Sequence, residues 1–539
     1  MVLARARLGG TRERNEARQL ACQQIENQKY NEFALYIGTP KGTGTKVIDG
    51  QKVLHIPTDP RTTYLPNAQA NIILFGAPET GKSAFGINPL TRSAIDQGIP
   101  VIYYDFKGHE DPPPSGEIAV YADQNDYQVS VYSPGSPDTC VCNILDFLDN
   151  EADPEAARDI AEVLNRNLKL SDNNSSNGNY FSESGDQLAQ AVMMLAKSSL
   201  GQADVVLCQK LLTWLSDPEK LLERLDAAEM SDWTRLAFDQ YLSTSKSPET
   251  AASIASTASL LFNRFMVPSA LPAFCGKTTL PLDLNGKQLV IFRMNPKNKT
   301  TVGPLIAAAM TMLVNRNIFR PRPRPLLLVL DEVKTIYLTK LSDWLNQMRS
   351  SGLGTIVAAQ SLGVLEETYG KDALNSIAGG CATHLVYQLN DGYTAKIYSE
   401  ACGNEQVDYT QRSRSHGKGG ANHSLADHNQ TRPLVEVQQL QKFPVGKVLL
   451  INRGYKDGKE VRIPVIIQLR LPASDSKAAI DKRKKLWPRF QAKLIAKSTA
   501  KPIDEELLNS RTAEAKQLLA LPEEREQREN LLQQLAMSY

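Results

Sequence analysis

The sequence predicts an α/β fold with a mostly parallel central sheet, into which a long all-α stretch is inserted. Three observations predict it. From residue 66 onward, apolar runs of four to six residues alternate with helical stretches, as strands covered on both faces do in a parallel sheet. One of these runs, Asn-Ile-Ile-Leu-Phe, leads straight into Gly76-Ala77-Pro78-Glu79-Thr80-Gly81-Lys82-Ser83 and then a helical stretch. Between about residues 150 and 282 the strand rhythm stops, and Leu-, Ala- and Glu-rich helical segments take over.

The expected strands are 72–75, 101–104, 129–132, 289–292, 326–330, 355–359, 384–388 and 447–451. Before them, residues 1–65 read as a polar arm followed by short strand-like pieces at Val47 and Val53. The helical stretch opens at Asp153-Pro154, a cap with proline in the first turn. It holds one polar loop, Ser-Asp-Asn-Asn-Ser-Ser-Asn-Gly-Asn, at 171–179. A Gly-, Ser- and His-rich loop is expected from Gln411 to Gln430, and a helical, charge-segregated tail after about 474. The domain expectation is therefore an arm (1–65), a nucleotide-binding domain in two parts (66–150 and 283–473), an inserted all-α domain (151–282) and a tail (474–539).

Composition excludes several classes. The 539 residues carry 61 Lys and Arg against 59 Asp and Glu, so any basic surface must be local. A hydrophobic content of 42% excludes disorder throughout. Seven cysteines without a Cys-x-x-Cys pair fit a reducing compartment rather than a disulfide scaffold. No apolar run approaches the roughly 18 residues of a membrane span, and the Arg-rich start lacks the apolar core of a secretory signal. A cytoplasmic protein is expected.

The chemistry concentrates in a few residues. Gly76 to Ser83 matches GxxxxGK[ST]. The two glycines let the backbone turn tightly so that amides and a helix N-terminus face phosphate oxygens. Lys82 offsets β- and γ-phosphate charge, and the Ser83 hydroxyl ligates Mg²⁺. Farther on, five apolar residues end in Asp331-Glu332, which sets two carboxylates at the carboxyl edge of a buried strand, where α/β ligands bind. Asp331 is expected in the Mg²⁺ shell and Glu332 as the base that polarises the attacking water. The run 355–359 ends in Gln360, fitted to sense the γ-phosphate, and Arg349 precedes it by eleven residues. Asp105 and Lys107 follow the second strand and suit either a phosphate-site support or a local ion pair.

Other features carry less. His416, His423 and His428 with Asp427 match no zinc spacing. Trp487 and Phe490 interleave with lysines and arginines between 477 and 501, which suits nucleic-acid contact or, preferably, a solvated helix face.

The order of motifs (GAPETGKS, YYDFKG, a helical stretch, LLLVLDE, RSSGLGTIVAAQS, TQRSRS and RPLVEVQQLQKFPVGKVLLINRGY) resembles the coupling ATPases of type IV secretion and conjugation. These form the TraG/TraD-like group of the FtsK/HerA superfamily. The resemblance covers roughly residues 66–470 and implies a RecA-like P-loop motor domain with an inserted all-α domain. It implies a homo-hexamer that couples ATP hydrolysis to movement of single-stranded DNA. Relaxase or relaxosome proteins and type IV secretion channel components are the partners it implies. By position, Gly76 to Ser83, Asp331, Glu332 and Gln360 fall on the family's nucleotide site. Arg349 falls where such motors place a finger that contacts the neighbour's nucleotide. Members of the group usually carry N-terminal transmembrane helices, which this sequence lacks, so either a separate small membrane protein supplies the anchor or a cytosolic relative docks peripherally. The alternatives are an intracellular HerA/FtsK-like DNA pump and a non-hydrolysing recruiting adaptor.

Overall fold

The computed structural model describes residues 6–38, 44–48, 51–55, 59, 61–171, 179–215, 221–244, 247–417, 420–471 and 476–527. The side chains of 45–48, 51–53, 169–171, 179–182, 221–222 and 408–429 are not among those described. The chain divides into two compact units. The first comprises residues 1–99, 323–334 and 342–480, and the second 100–322, 335–341 and 481–539.

The first unit is built on six strands in the order Val465–Gln468, Lys447–Ile451, Thr383–Val386, Ile72–Phe75, Leu353–Ala359, Leu326–Asp331. The last four run parallel, and the first two are antiparallel additions at one edge. Ile72–Phe75 is buried along its length and pairs on both sides. This is why its sequence is an unbroken apolar run. The register is pinned where this strand starts. The buried Asn71 side chain donates to the carbonyls of Leu345 (2.8 Å) and Gly380 (3.0 Å) and accepts from the Thr355 amide (3.0 Å).

The eight strands expected from residue 66 onward are all present, and Val465–Gln468 joins Lys447–Ile451 as an unexpected edge strand. Two local expectations are corrected. Residues 11–26, expected as a polar arm, form a helix (Thr11–Glu26) whose start is held by Glu13 accepting from the Gly10 amide at 2.6 Å. Its apolar stripe is only Ala17, Ala21 and Ile25, spaced by four and hidden among charges. Ala21 and Ile25 pack with Tyr36 and Tyr64. Residues 411–430, expected as a loop, belong to a long antiparallel hairpin, Asn404–Gly417 with Gly420–Pro433. The histidine and Asp427 side chains of that segment lie outside the described residues.

The second unit contains three parallel strands in the order Val101–Asp105, Gln288–Arg293, Gln128–Tyr132. Between 133 and 287 the described residues form helices and turns, with six α-helices from Pro154–Ser171 to Pro248–Asn263. The charged tail is docked in this unit. Its helix Lys477–Lys497 buries Arg483, Trp487, Phe490 and Leu494. Arg483 pairs with Glu117 at 3.3 Å, and the Arg293 guanidinium lies 5.1 Å from the Trp487 ring centroid. Arg511 of the next helix pairs with buried Asp204 at 2.9 Å. The aromatics interleaved with basic residues thus face the core, which removes them as base-stacking platforms and leaves the intervening lysines exposed. Among the described residues no helix is long and apolar enough to cross a membrane.

One buried group in the first unit titrates in an accessible range. His384 is 8% exposed, its Nε2 lies 2.9 Å from the Cys381 carbonyl and its Nδ1 2.8 Å from the Tyr398 hydroxyl. The carbonyl can only accept, so Nε2 carries the proton and Nδ1 accepts from Tyr398. Burial, with the Arg462 charge adding to it, lowers this histidine to about 4. A depressed histidine favours folding above the unfolded value near 6.5, and that contribution is lost as pH falls from there toward 4. Denaturant midpoints should therefore fall between pH 7 and pH 5, with roughly 3 kcal/mol at stake in full. His384→Gln should flatten this dependence. Equal slopes for the two proteins would contradict the assignment.

Candidate functional site

The site lies in the first unit, at the carboxyl edge of the parallel strands. Phe75 is level with Ala359 on one side and Val386 on the other, and Leu330 is level with Val357. Gly76, Asp331 and Gln360 therefore leave their strands at nearly the same height, although 284 positions separate the outermost two in sequence.

Gly76 begins the loop in a place that only glycine fits. A Cβ there would lie 2.7 Å from Tyr387 Cβ and 2.9 Å from Thr80 Oγ1. The loop is tied down by the Ala77 amide donating to the Gln388 carbonyl (2.8 Å) and by Thr80 Oγ1 donating to the Ala77 carbonyl (2.8 Å). Pro78 and Glu79 form its exposed crest. Glu79 (φ +62°) and Gly81 (φ +94°) take the left-handed turns that reverse the chain. Ser83 then opens a π-helical turn, Ser83–Ile87, that continues as the helix Asn88–Asp96. Lys82 and Ser83 are half-buried at this helix start, and the Lys82 ammonium donates to the carbonyls of Gly76 and of Ala77, the latter at 3.2 Å. It is folded over the loop, within reach of the space that the loop encloses.

The second half of the site comes from the neighbouring strand ends. The Ser83 hydroxyl lies 3.4 Å from Asp331 Oδ2, a hydroxyl and a carboxylate that suit a hard divalent cation. Gln360 Nε2 lies 3.4 Å from Glu332 Oε2. Glu332 has a left-handed backbone (φ +66°), a strained conformation for a residue with a side chain, and it turns the chain directly after the strand. Ser83, Asp331, Glu332 and Gln360 are thus brought together as the sequence suggests. Sequence reasoning missed two contributors. Lys334 Nζ lies 4.0 Å from Glu332 Oε1, and Tyr387 closes the loop's underside beneath Gly76. Neither has a signature beyond its residue type.

Arg349 is exposed in the short 3₁₀ turn Met348–Ser351, before the amino end of Leu353–Ala359. Gln360 and the phosphate loop lie at that strand's other end. At about 3.3 Å per residue, seven residues separate the two edges by about 23 Å. Arg349 does not join its own chain's site. In the second unit, Asp105 accepts from the Lys107 and Ser115 amides, both at 2.9 Å, and so shapes the turn before the helix Pro114–Gln124.

Residues 325–445 match a sequence family described as the TraM recognition site of TraD and TraG. The chain is 25% identical over 353 residues to the type IV secretion system-coupling protein VirD4 of Bartonella henselae. That match takes in 61% of this chain and spans about half (53%) of the relative. The fold is similar to that of the bacterial conjugative coupling protein TrwBdeltaN70 in complex with sulphate (16% identity, TM-score 0.51) and of plasmid coupling protein TrwB in complex with ADP and Mg²⁺ (14% identity, TM-score 0.51). Each of these covers 76% of this chain and 87% of the solved one. The chain resembles type IV coupling proteins in sequence and in a RecA-like P-loop fold.

The tightness of the loop gives a direct check. Gly76→Ala should force Tyr387 or Thr80 aside and weaken binding of a fluorescent adenine nucleotide at least tenfold, at an overpacking cost of about 1–3 kcal/mol in stability. Ala77→Gly adds no atom and should bind normally. Unchanged affinity in Gly76→Ala would show that the loop geometry does not define the site.

Proposed function

We propose that this chain is an ATP-driven coupling protein. It works as a homo-hexamer that moves DNA, single-stranded in transfer, with relaxase or relaxosome proteins toward a type IV secretion channel. The observation that carries this reading is the meeting of Ser83 with Asp331, and of Glu332 with Gln360, beside a phosphate-binding loop. Similarity to coupling proteins, one of them solved with ADP and Mg²⁺, supports the choice of ligand and of cargo.

In this reading the amides of 76–83 and the following helix start hold the β- and γ-phosphates of ATP. Lys82 turns from the loop carbonyls to the phosphates and offsets their charge. Ser83 and Asp331 hold Mg²⁺ through hard oxygens, and the ion, when bound, neutralises charge on the β- and γ-phosphate oxygens. Glu332 accepts a proton from the attacking water. Gln360, whose amide nitrogen is turned to Glu332, keeps its carbonyl oxygen to orient the same water. Arg349, on the far edge, is suited to reach a neighbouring subunit's nucleotide. The helices within 151–282 and the hairpin 404–433, part of the segment matched as a recognition site, are assigned to substrate and relaxosome contact. The cytoplasmic face of the inner membrane is the assigned location.

ATP hydrolysis by the purified chain should rise with single-stranded DNA, together with a shift in solution mass to six subunits. Glu332→Gln should bind nucleotide normally and lose turnover by at least about 10²-fold, because only the base is removed. Lys82→Ala should lose phosphate binding itself. Normal turnover in Glu332→Gln would refute the base assignment, and a rate and mass indifferent to DNA would refute the motor.

A further inference from the structure

The first unit holds a second concave site that the proposed reaction does not use. It is a cavity of about 460 Å³ bounded by the helix Thr11–Glu26, Asp59, the turn at 61–62 with the strand start after it, and the edge strand Val465–Gln468 with the residues that follow. Four guanidiniums line it. Arg14 and Arg18 come from one face of the helix, four positions apart, Arg61 comes from the turn, and Arg470 follows the edge strand. Against them stands one lining carboxylate, Asp59, which is engaged locally. Its Oδ1 accepts from the Arg61 amide (2.9 Å) and its Oδ2 from the Thr62 hydroxyl (3.4 Å). None of the four arginines forms an ion pair with a described carboxylate. Arg14 donates to the Ile466 carbonyl at 3.2 Å, and the buried Arg18 Nε has no hydrogen-bond partner.

Some other arginines of this unit do find acids. Arg7 pairs with Glu13 and Asp457, and Arg432 with Glu405 at 2.7 Å. Four guanidiniums around one hollow raise the local positive potential and favour an anion there. A planar fork of N–H donors matches phosphate oxygens in pairs. A concavity lined from three sides suits a compact terminal group with more than one charge better than a strand of singly charged diesters.

We propose that this pocket is a second phosphate site, separate from the P-loop, that takes a phosphomonoester or diphosphate group. The group can belong to a soluble metabolite or to a lipid headgroup, and the two sources are distinguished below. The site does not depend on the motor reading, because none of its residues belongs to the nucleotide loop.

The test uses the full chain carrying Lys82→Ala, so that the P-loop contributes no phosphate binding. Inorganic pyrophosphate, titrated calorimetrically at low salt, should bind saturably. Arg61 and Arg470 are exposed, so replacing both should leave the fold intact. Arg61→Gln with Arg470→Gln should weaken binding at least tenfold at an unchanged melting temperature. Arg61→Lys with Arg470→Lys should restore part of it, since charge returns without the paired donors. Co-sedimentation then assigns the source. Retention on phosphatidic acid vesicles but not on phosphatidylcholine, reversed by pyrophosphate, identifies a headgroup, whereas no retention alongside pyrophosphate binding identifies a soluble ligand. Absence of pyrophosphate binding, binding indifferent to the arginine substitutions, or single-stranded DNA held by these arginines and not displaced by pyrophosphate would overturn the proposal.

Discussion

The candidate site rests on the register of three parallel strands. Ile72–Phe75 runs between Leu353–Ala359 and Thr383–Val386, hydrogen-bonded to both and buried throughout. That register sets Gly76 beside Gln360, and the next pairing sets Asp331 within reach of Ser83. A slip of one residue would turn every side chain on a strand to the other face. Asn71 resists such a slip at the strand's start by binding the Thr355 amide within one neighbouring strand and the Gly380 carbonyl of the segment leading into the other. It does so from a positive-φ backbone (φ +63°, ψ 152°), a strained conformation for a residue with a side chain.

A parallel sheet also has two unlike edges, and the chain uses both. The phosphate loop, the acidic pair and Gln360 occupy the carboxyl edge, while Arg349 and Gly352 sit at the amino edge. Gly352 (φ +84°) cannot be replaced freely, because a Cβ there would run into the Tyr30 carbonyl oxygen. The turn that presents Arg349 is therefore held against the segment following the first helix. On the proposed function, this separation makes one subunit's site incomplete without its neighbour, and hydrolysis becomes a property of the ring.

Much of this was legible in the sequence because the relevant signals are local. An apolar run followed by GxxxxGKS, and another ending in Asp-Glu, each describe a strand and the turn after it. Their proximity follows from the rule that α/β sites gather at carboxyl ends. The contributions of Tyr387 and Asn71 were not legible, because each acts through a partner distant in sequence, and Lys334, two positions from Glu332, carries no signature beyond its residue type. The helix at 11–26 was obscured because three small or aliphatic residues spaced by four are a weak stripe among arginines and glutamates. The 404–433 hairpin was obscured because its strands are polar, with glycines gathered at the turn, and lack the alternation that marks a half-buried strand. Trp487 and Phe490 were ambiguous for a different reason. Period alone places them on one face with Arg483 and Leu494, and only the packing shows that this face is the buried one.

The central claim is that catalysis joins the carboxyl edge of one subunit to the amino edge of the next. Mixing two inactive proteins, Lys82→Ala and Arg349→Ala, tests it most directly. In mixed rings some interfaces join an intact phosphate loop to an intact Arg349, where an arginine finger contributes roughly 10³–10⁵ in rate. Partial ATPase activity should therefore return on mixing and grow with protein concentration as rings assemble. Demonstrated co-assembly without any recovered activity would contradict the claim.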